Sequence, residues 1–139
     1  MRERAFTLLE VIVGLALATV LAGVGVVRLG TLVESARLAG AARTVATALR
    51  LARGVAMSGD ATIEVHFDPA RGVCEMRAPN GALLESRALP PGVSFAGLPA
   101  RSRILFTGLG TAENGTIVLA AGARVRRIVV NQRGRVRVQ

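Results

Sequence analysis

Residues 1–27 read MRERAFTLLEVIVGLALATVLAGVGVV. From Phe6 to Val27 the chain is apolar, with Glu10 as its one charge. At the rise of an α-helix these 22 residues span about 33 Å, close to the hydrocarbon thickness of a bilayer. A secretory signal peptide would use Arg2 and Arg4 as its basic start and Ala16-Leu17-Ala18 as its cleavage site. That reading fails on two counts: Glu10 lies inside the apolar region, and the run continues well past Ala18. An ordinary N-terminal anchor fits better. In it Thr7 and Glu10 form a T-x-x-E capping box, each side chain bonding the other's backbone amide.

The flanks add a third reading. A charged pentapeptide, MRERA, ends on a small residue, then come Phe-Thr-Leu-Leu-Glu and an uncharged helix. This resembles the class III signal of type IV prepilins and type II secretion pseudopilins. The resemblance implies that a prepilin peptidase cuts between Ala5 and Phe6 on the cytoplasmic side and methylates the new Phe6 amine. Most family members carry Gly before the cut; Ala5 is small but less typical. Glu10 then becomes the fifth mature residue, paired with the Phe6 amine of a neighbouring subunit as it enters the filament, and Thr7 caps the helix beside it. A carboxylate in hydrocarbon is costly and marks function; docking neutralises both charges. Arg28, Arg37 and Arg43 follow the apolar run, so counting positive charges does not favour a cytoplasmic N-terminus, and the orientation rests on the resemblance.

No Pro or turn cluster interrupts the chain before about Ser58. Leu38, Ala42, Val45, Leu49, Ala52 and Ala56 are spaced 4, 3, 4, 3, 4, an apolar stripe on a helix. Arg37, Arg43, Arg50 and Arg53 fall mostly outside it. One helix of roughly 50 residues is expected, about 75 Å long. Gly14, Gly23, Gly25 and Gly30 soften its first half. Ser58-Gly59-Asp60 ends it, with Gly59 as the expected residue just past the end.

From Ala61 the pattern changes to short strands and turns. Residues 61–67 alternate with Ile63, Val65 and Phe67 on one face, and 73–78 with Cys74 and Met76 inward. Turn signals at 68–72, 79–81 and 90–92 separate further runs at 82–89, 93–98 and 103–106. A glycine-rich loop, 107–115, leads to 116–120, 124–131 and 135–139. Seven or eight strands follow one helix.

LARGVAMSGD (51–60), the F-x-x-x-G stretch Phe106–Gly110, and RRIVVNQRGRVRV near the C-terminus resemble the GspH/FimT group of minor pilins and pseudopilins. The fold implied is α+β and pilin-like, one long N-terminal helix packed on small antiparallel β-sheets. The expected organisation is a leader at 1–5, a transmembrane or filament-core helix at 6–28, its amphipathic continuation at 29–58, and a β domain at 59–139. The implied partners are other pilins or pseudopilins in a filament, the prepilin peptidase and an inner-membrane platform. The implied location is the bacterial inner membrane, single-pass, with the C-terminal domain periplasmic until assembly. The implied role is a minor pseudopilin of the GspH kind.

Charge offers an alternative. All 18 basic residues are Arg. Residues 6–100 hold 8 Arg and 7 acids, while 101–139 hold 8 Arg and one acid, Glu113, a net of +7. Such a concentration suits an anionic partner. In 124–138 arginines and valines alternate, so Val125, Val136 and Val138 are expected inward and Arg124, Arg126, Arg135 and Arg137 outward, with Gln132-Arg133-Gly134 as the hairpin turn. Arg135 and Arg137 would project about 7 Å apart, near the phosphate spacing of DNA. G-R-x-R at 134–137 matches a motif implicated in DNA uptake by FimT-like minor pilins. The candidate contacts are Arg124, Arg126, Arg127, Arg133, Gly134, Arg135 and Arg137, binding phosphates without sequence preference. An Arg-only protein also places Arg on every solvated strand face, so the same pattern fits an ordinary surface.

Cys74 is the only cysteine and His66 the only histidine. Eight residues apart in strand-like sequence, they could share a face, but two groups do not make a zinc site. No catalytic set is legible, so an enzyme is disfavoured, and no cofactor is expected.

Overall fold

The computed structural model describes residues 8–139, with side chains left out for 24–29. Ala5, Phe6 and Thr7 therefore lie outside the described residues. One helix, α1 (Leu8–Ser58), precedes eight strands: β1 (Ile63–Asp68), β2 (Val73–Arg77), β3 (Leu83–Ala88), β4 (Ser94–Gly97), β5 (Arg103–Phe106), β6 (Gly115–Ala121), β7 (Arg124–Val130) and β8 (Val136–Val138). This is the α+β, pilin-like architecture expected.

The chain divides into two compact units, Met1–Val33 and Glu34–Gln139. In the first unit the described side chains of α1 are all exposed, including Leu8, Leu9, Val11, Ile12, Val13, Leu15, Leu17, Val20 and Leu21. Among the described residues no helix is long and apolar enough to cross a membrane. The uncharged run of the sequence extends to Val27, through side chains outside that set.

In the second unit the remainder of α1 packs on two four-stranded antiparallel sheets. Their strand orders are β3-β2-β1-β5 and β4-β6-β7-β8. The helix stripe is buried as its spacing predicts, with Leu38, Ala42, Val45, Leu49, Ala52 and Ala56 each at most 2% exposed. Ala41, Ala46 and Ala48 widen that face. The first sheet contributes Ile63, Val65, Phe67, Cys74, Met76, Ile104 and Phe106; the second contributes Ile117, Leu119, Ile128, Val130 and Val136. All join a single apolar cluster. Phe67 and Phe95 meet edge to face at 5.7 Å, an arrangement the ring quadrupole favours.

Three local expectations are corrected. The residue past the helix end is Asp60, not Gly59: Asp60 has φ +44, and the Ala61 amide donates to the Ala56 carbonyl at 3.1 Å. That six-to-one bond defines a Schellman motif with Asp60 in the left-handed position, which Asp tolerates better than most residues. Cys74 and His66 do not share a face. Cys74 pairs with Phe67 on the buried side, while His66 pairs with Glu75 on the outer side. Burial pushes the Cys74 thiol pKa up, so the thiol stays protonated and inert.

The third correction concerns β7. Val125 faces out, 56% exposed. Arg126 is paired with buried Leu119, and Arg124 with buried Ala121. Ile128 and Val130 set the phase of the strand by burying their side chains, and with a period of two this turns 124 and 126 toward the helix side.

Candidate functional site

Two features compete for the C-terminal motif G-R-V-R, one structural and one electrostatic. The structural one starts at Arg53 on α1. Its Nε donates a 3.0 Å hydrogen bond to the Gly110 carbonyl. Gly110 lies in the loop after β5, where its amide donates to the Thr107 carbonyl at 2.8 Å and the Thr107 amide to the Thr111 carbonyl at 3.0 Å. This loop is tied to the β7–β8 turn by the Ala112 amide donating to the Gln132 carbonyl at 3.0 Å.

Gly134 closes the turn at φ +68. A Cβ there would lie 2.3 Å from the Gly110 carbonyl oxygen and 2.8 Å from Arg53 Nε. The turn is otherwise held by Asn131, whose carbonyl accepts from the Gly134 amide at 2.8 Å and whose Oδ1 accepts from the Arg135 amide at 2.9 Å. One turn earlier on the helix, Arg50 Nη2 donates to the Val136 carbonyl at 3.4 Å. Gly108 meets the helix end: a Cβ there would lie 2.3 Å from Asp60 Oδ1. Thus Gly134 packs against the chain's own backbone and guanidinium, an assignment of structure rather than ligand contact.

The electrostatic feature is a division between the sheets. Among the described residues all five ion pairs fall on the first sheet or its β1–β2 turn: Glu64 with His66 and Arg103, Glu75 with Arg71 and Arg77, and Glu85 with Arg87. The hydrogen bond from His66, reinforced by the Arg103 guanidinium, holds the Glu64 carboxyl below the usual carboxylate range despite the opposing effect of burial. Arg124, Arg126, Arg127, Arg133, Arg135 and Arg137 are all exposed, and none forms an ion pair with a described residue.

Those six arginines do not form one patch. Arg137 opposes Val129, and Arg127 exchanges backbone hydrogen bonds with Gln139 at 3.0 and 2.8 Å. Arg127, Arg135 and Arg137 therefore share the outer face of the second sheet, with Arg137 diagonal to Arg127. Arg133 sits in the turn. Arg124 and Arg126 emerge on the helix side, where Arg126 lines a cleft of about 210 Å³ with Ala39, Ala42, Arg43 and Val138. No metal cluster is present: among the described residues no three His, Cys, Asp or Glu side chains converge. The sequence singled out the G-R-V-R arginines but not Arg53, Gly108 or Arg43. The stretches 51–60 and Phe106–Gly110, which contain Arg53 and Gly110, were the signals that could have pointed to this contact.

Comparison with known proteins agrees with this architecture. The model of the family described as type II transport protein GspH matches residues 41–134, and the prokaryotic N-terminal methylation motif matches residues 1–26. No curated protein is similar enough in sequence to count as a match. Among solved structures, the type IV minor pilin FimU of Pseudomonas aeruginosa superposes with a TM-score of 0.64 at 19% identity, over 76% of this chain and 90% of that one. The minor pseudopilin EpsH of the Vibrio cholerae type 2 secretion system gives 0.61 at 14% identity, over 74% of this chain and 96% of that one. At such identities the likeness is one of fold, which one long N-terminal helix and two small antiparallel sheets share. The family match is of another kind, because it covers most of the chain, including the helix end, the Gly110 loop and the Gly134 turn. The chain therefore belongs to the GspH family of type II transport proteins and carries the prokaryotic N-terminal methylation motif.

Proposed function

We propose that the protein is a filament-initiating or filament-capping subunit of a type II secretion pseudopilus. It is inserted in the inner membrane through its N-terminal helix, with the β domain periplasmic. The prepilin peptidase cleaves it between Ala5 and Phe6 and methylates Phe6, and the inner-membrane platform then draws it into a filament of other pseudopilins. Its part is structural, not enzymatic. The observation that carries this reading is the surface of α1 in the first unit: large apolar side chains from Leu8 to Leu21 stand exposed around Glu10. So much uncovered apolar helix calls for lipid or neighbouring subunits. Co-expression with a prepilin peptidase and mass spectrometry of the product tests it. The mature chain should begin at methylated Phe6, and Ala5→Trp should abolish processing. A normal-sized mature product from Ala5→Trp would place the cut elsewhere and overturn the assignment.

A second reading is favoured by Arg127, Arg135 and Arg137 on the outer face of the second sheet, none of them in an ion pair with a described residue. In it these side chains bind the phosphates of double-stranded DNA, as a FimT-like minor pilin would for DNA uptake. Gel shift across a salt series reads it out. Binding should weaken steeply with salt, and Arg135→Ala plus Arg137→Ala should lower the salt slope by about two. No shift at low salt would exclude DNA as the partner, and an unchanged slope in the double variant would exclude Arg135 and Arg137 as its contacts.

A further inference from the structure

We propose that the cleft between α1 and the β7–β8 edge is a docking site for an acidic segment of a neighbouring protein, with Arg43 and Arg126 clamping one carboxylate side chain. The cleft is lined by Ala39, Ala42, Arg43, Arg126 and Val138 and measures about 210 Å³. Its lining combines three apolar residues, Ala39, Ala42 and Val138, with two arginines. Arg43 and Arg126 are both exposed, and neither forms an ion pair with a described residue. Glu34 is the acid of α1 that precedes them in the second unit, and it stands beside the β6–β7 turn, its Oε2 3.3 Å from where a Cβ at Gly122 would be. Nine residues of helix separate it from Arg43, about 14 Å by the helical rise. Among the described residues, the lining of this cleft thus carries two cations and no anion.

The size of the cleft selects the kind of ligand. Small-molecule sites run from about 300 Å³ upward, so this one takes a side chain rather than a free metabolite. A duplex backbone would need an open cationic face, as on the other side of the sheet. A carboxylate fits two forked donors with charge-assisted bonds, and the apolar part of the lining takes a neighbouring apolar side chain. An acidic residue flanked by leucine or alanine on a partner's helix has that chemistry. β7 brings Arg126 here only because Ile128 and Val130 fix its phase, so the site follows from the core of the fold. The proposal does not depend on which machine the filament belongs to. Its failure would leave the cleavage and methylation assignment untouched.

The test uses the full chain in detergent micelles and fluorescence anisotropy with the labelled peptide fluorescein-Ala-Leu-Glu-Glu-Leu-Ala-Leu-Glu-Glu-Leu-amide. Binding is expected, and the same peptide with Gln in place of Glu should not bind. Arg43→Gln plus Arg126→Gln should weaken binding about tenfold or more, the loss of one charge-assisted contact or two. Arg135→Gln plus Arg137→Gln should leave it within about twofold. Circular dichroism checks that each variant is folded, and Ala39→Leu, which fills the cleft without touching charge, should weaken binding as well. No peptide binding, equal losses in the two arginine pairs, or displacement of the peptide by duplex DNA in the Arg135→Gln plus Arg137→Gln variant would each overturn the proposal.

Discussion

Replacing Gly134 with alanine is expected to lower the unfolding free energy of the Glu34–Gln139 unit by about 2–4 kcal/mol. Two effects add. The left-handed backbone at φ +68 costs an L-residue about 1 kcal/mol. The new methyl would also sit 2.3 Å from a backbone oxygen, that of Gly110, and within 2.9 Å of Arg53 Nε and Cδ. Backbone on one side and a hydrogen-bonded guanidinium on the other leave nothing flexible to yield, so the β7–β8 turn must separate from the Gly110 loop and strain the Arg53 bond. Arg135→Ala plus Arg137→Ala, on exposed side chains with no ion pair to a described residue, should stay within about 1 kcal/mol of the parent. Urea unfolding of the unit, which contains the whole buried cluster, measures both. A Gly134→Ala protein as stable as the double arginine variant would show that the turn is not locked. The consequence reaches function: lost anion binding in a Gly134 variant would report unfolding, not a lost contact.

Much of this unit was legible in the sequence because its signals are local and periodic. The helix stripe needs only spacing, and Leu38, Ala42, Val45, Leu49, Ala52 and Ala56 bury as a set. Ile63, Val65 and Phe67 likewise obey a period of two. Where local reading failed, a second local signal was stronger. In RVRRIVV the doubled arginine, Arg126-Arg127, breaks the alternation, so the first half and the second half of β7 imply opposite phases. The bulkier half wins: Ile128 and Val130 are buried, and Val125 is left in solvent. At the helix end, Gly59 was the better left-handed residue by propensity, yet Asp60 takes that position. Gly108 allows it, because its missing side chain makes room for the Asp60 carboxylate.

The site was legible only in outline. Charge by segment showed where cations accumulate, since Glu113 is the one acid after residue 100. It could not show that the first sheet neutralises its own arginines while the second does not, because pairing depends on register. Arg103 illustrates this: it lies in the basic tail by sequence, but β5 pairs with β1 and places it on Glu64 at 2.7 Å. The Arg53–Gly110–Gly134 contact joins three segments far apart in the chain, Arg53 and Gly110 being 57 residues apart. No periodicity encodes such an encounter.

Replacing Glu10 with glutamine is expected to leave cleavage and membrane insertion intact and to reduce incorporation into the filament by about tenfold to a hundredfold. The magnitude follows from the few kcal/mol that a charge costs in an apolar setting, regained when an opposite charge meets it. Glu10 stands in the first turn of α1, among side chains such as Leu8, Leu9 and Val13 that are half or more exposed or nearly so. A filament that covers this surface would bring the carboxylate into apolar surroundings next to a neighbouring subunit's N-terminal amine. Glutamine separates two explanations that alanine would confound. The capping box accepts Glu or Gln, since either oxygen reaches the backbone amide, so a role confined to one chain predicts normal assembly for Glu10→Gln. A role in neutralising a partner's amine predicts a defect nearly as large as that of Glu10→Ala. Immunoblots of sheared filaments against the membrane fraction, in cells carrying the whole machine, distinguish them. Wild-type incorporation of Glu10→Gln would reduce Glu10 to a helix cap.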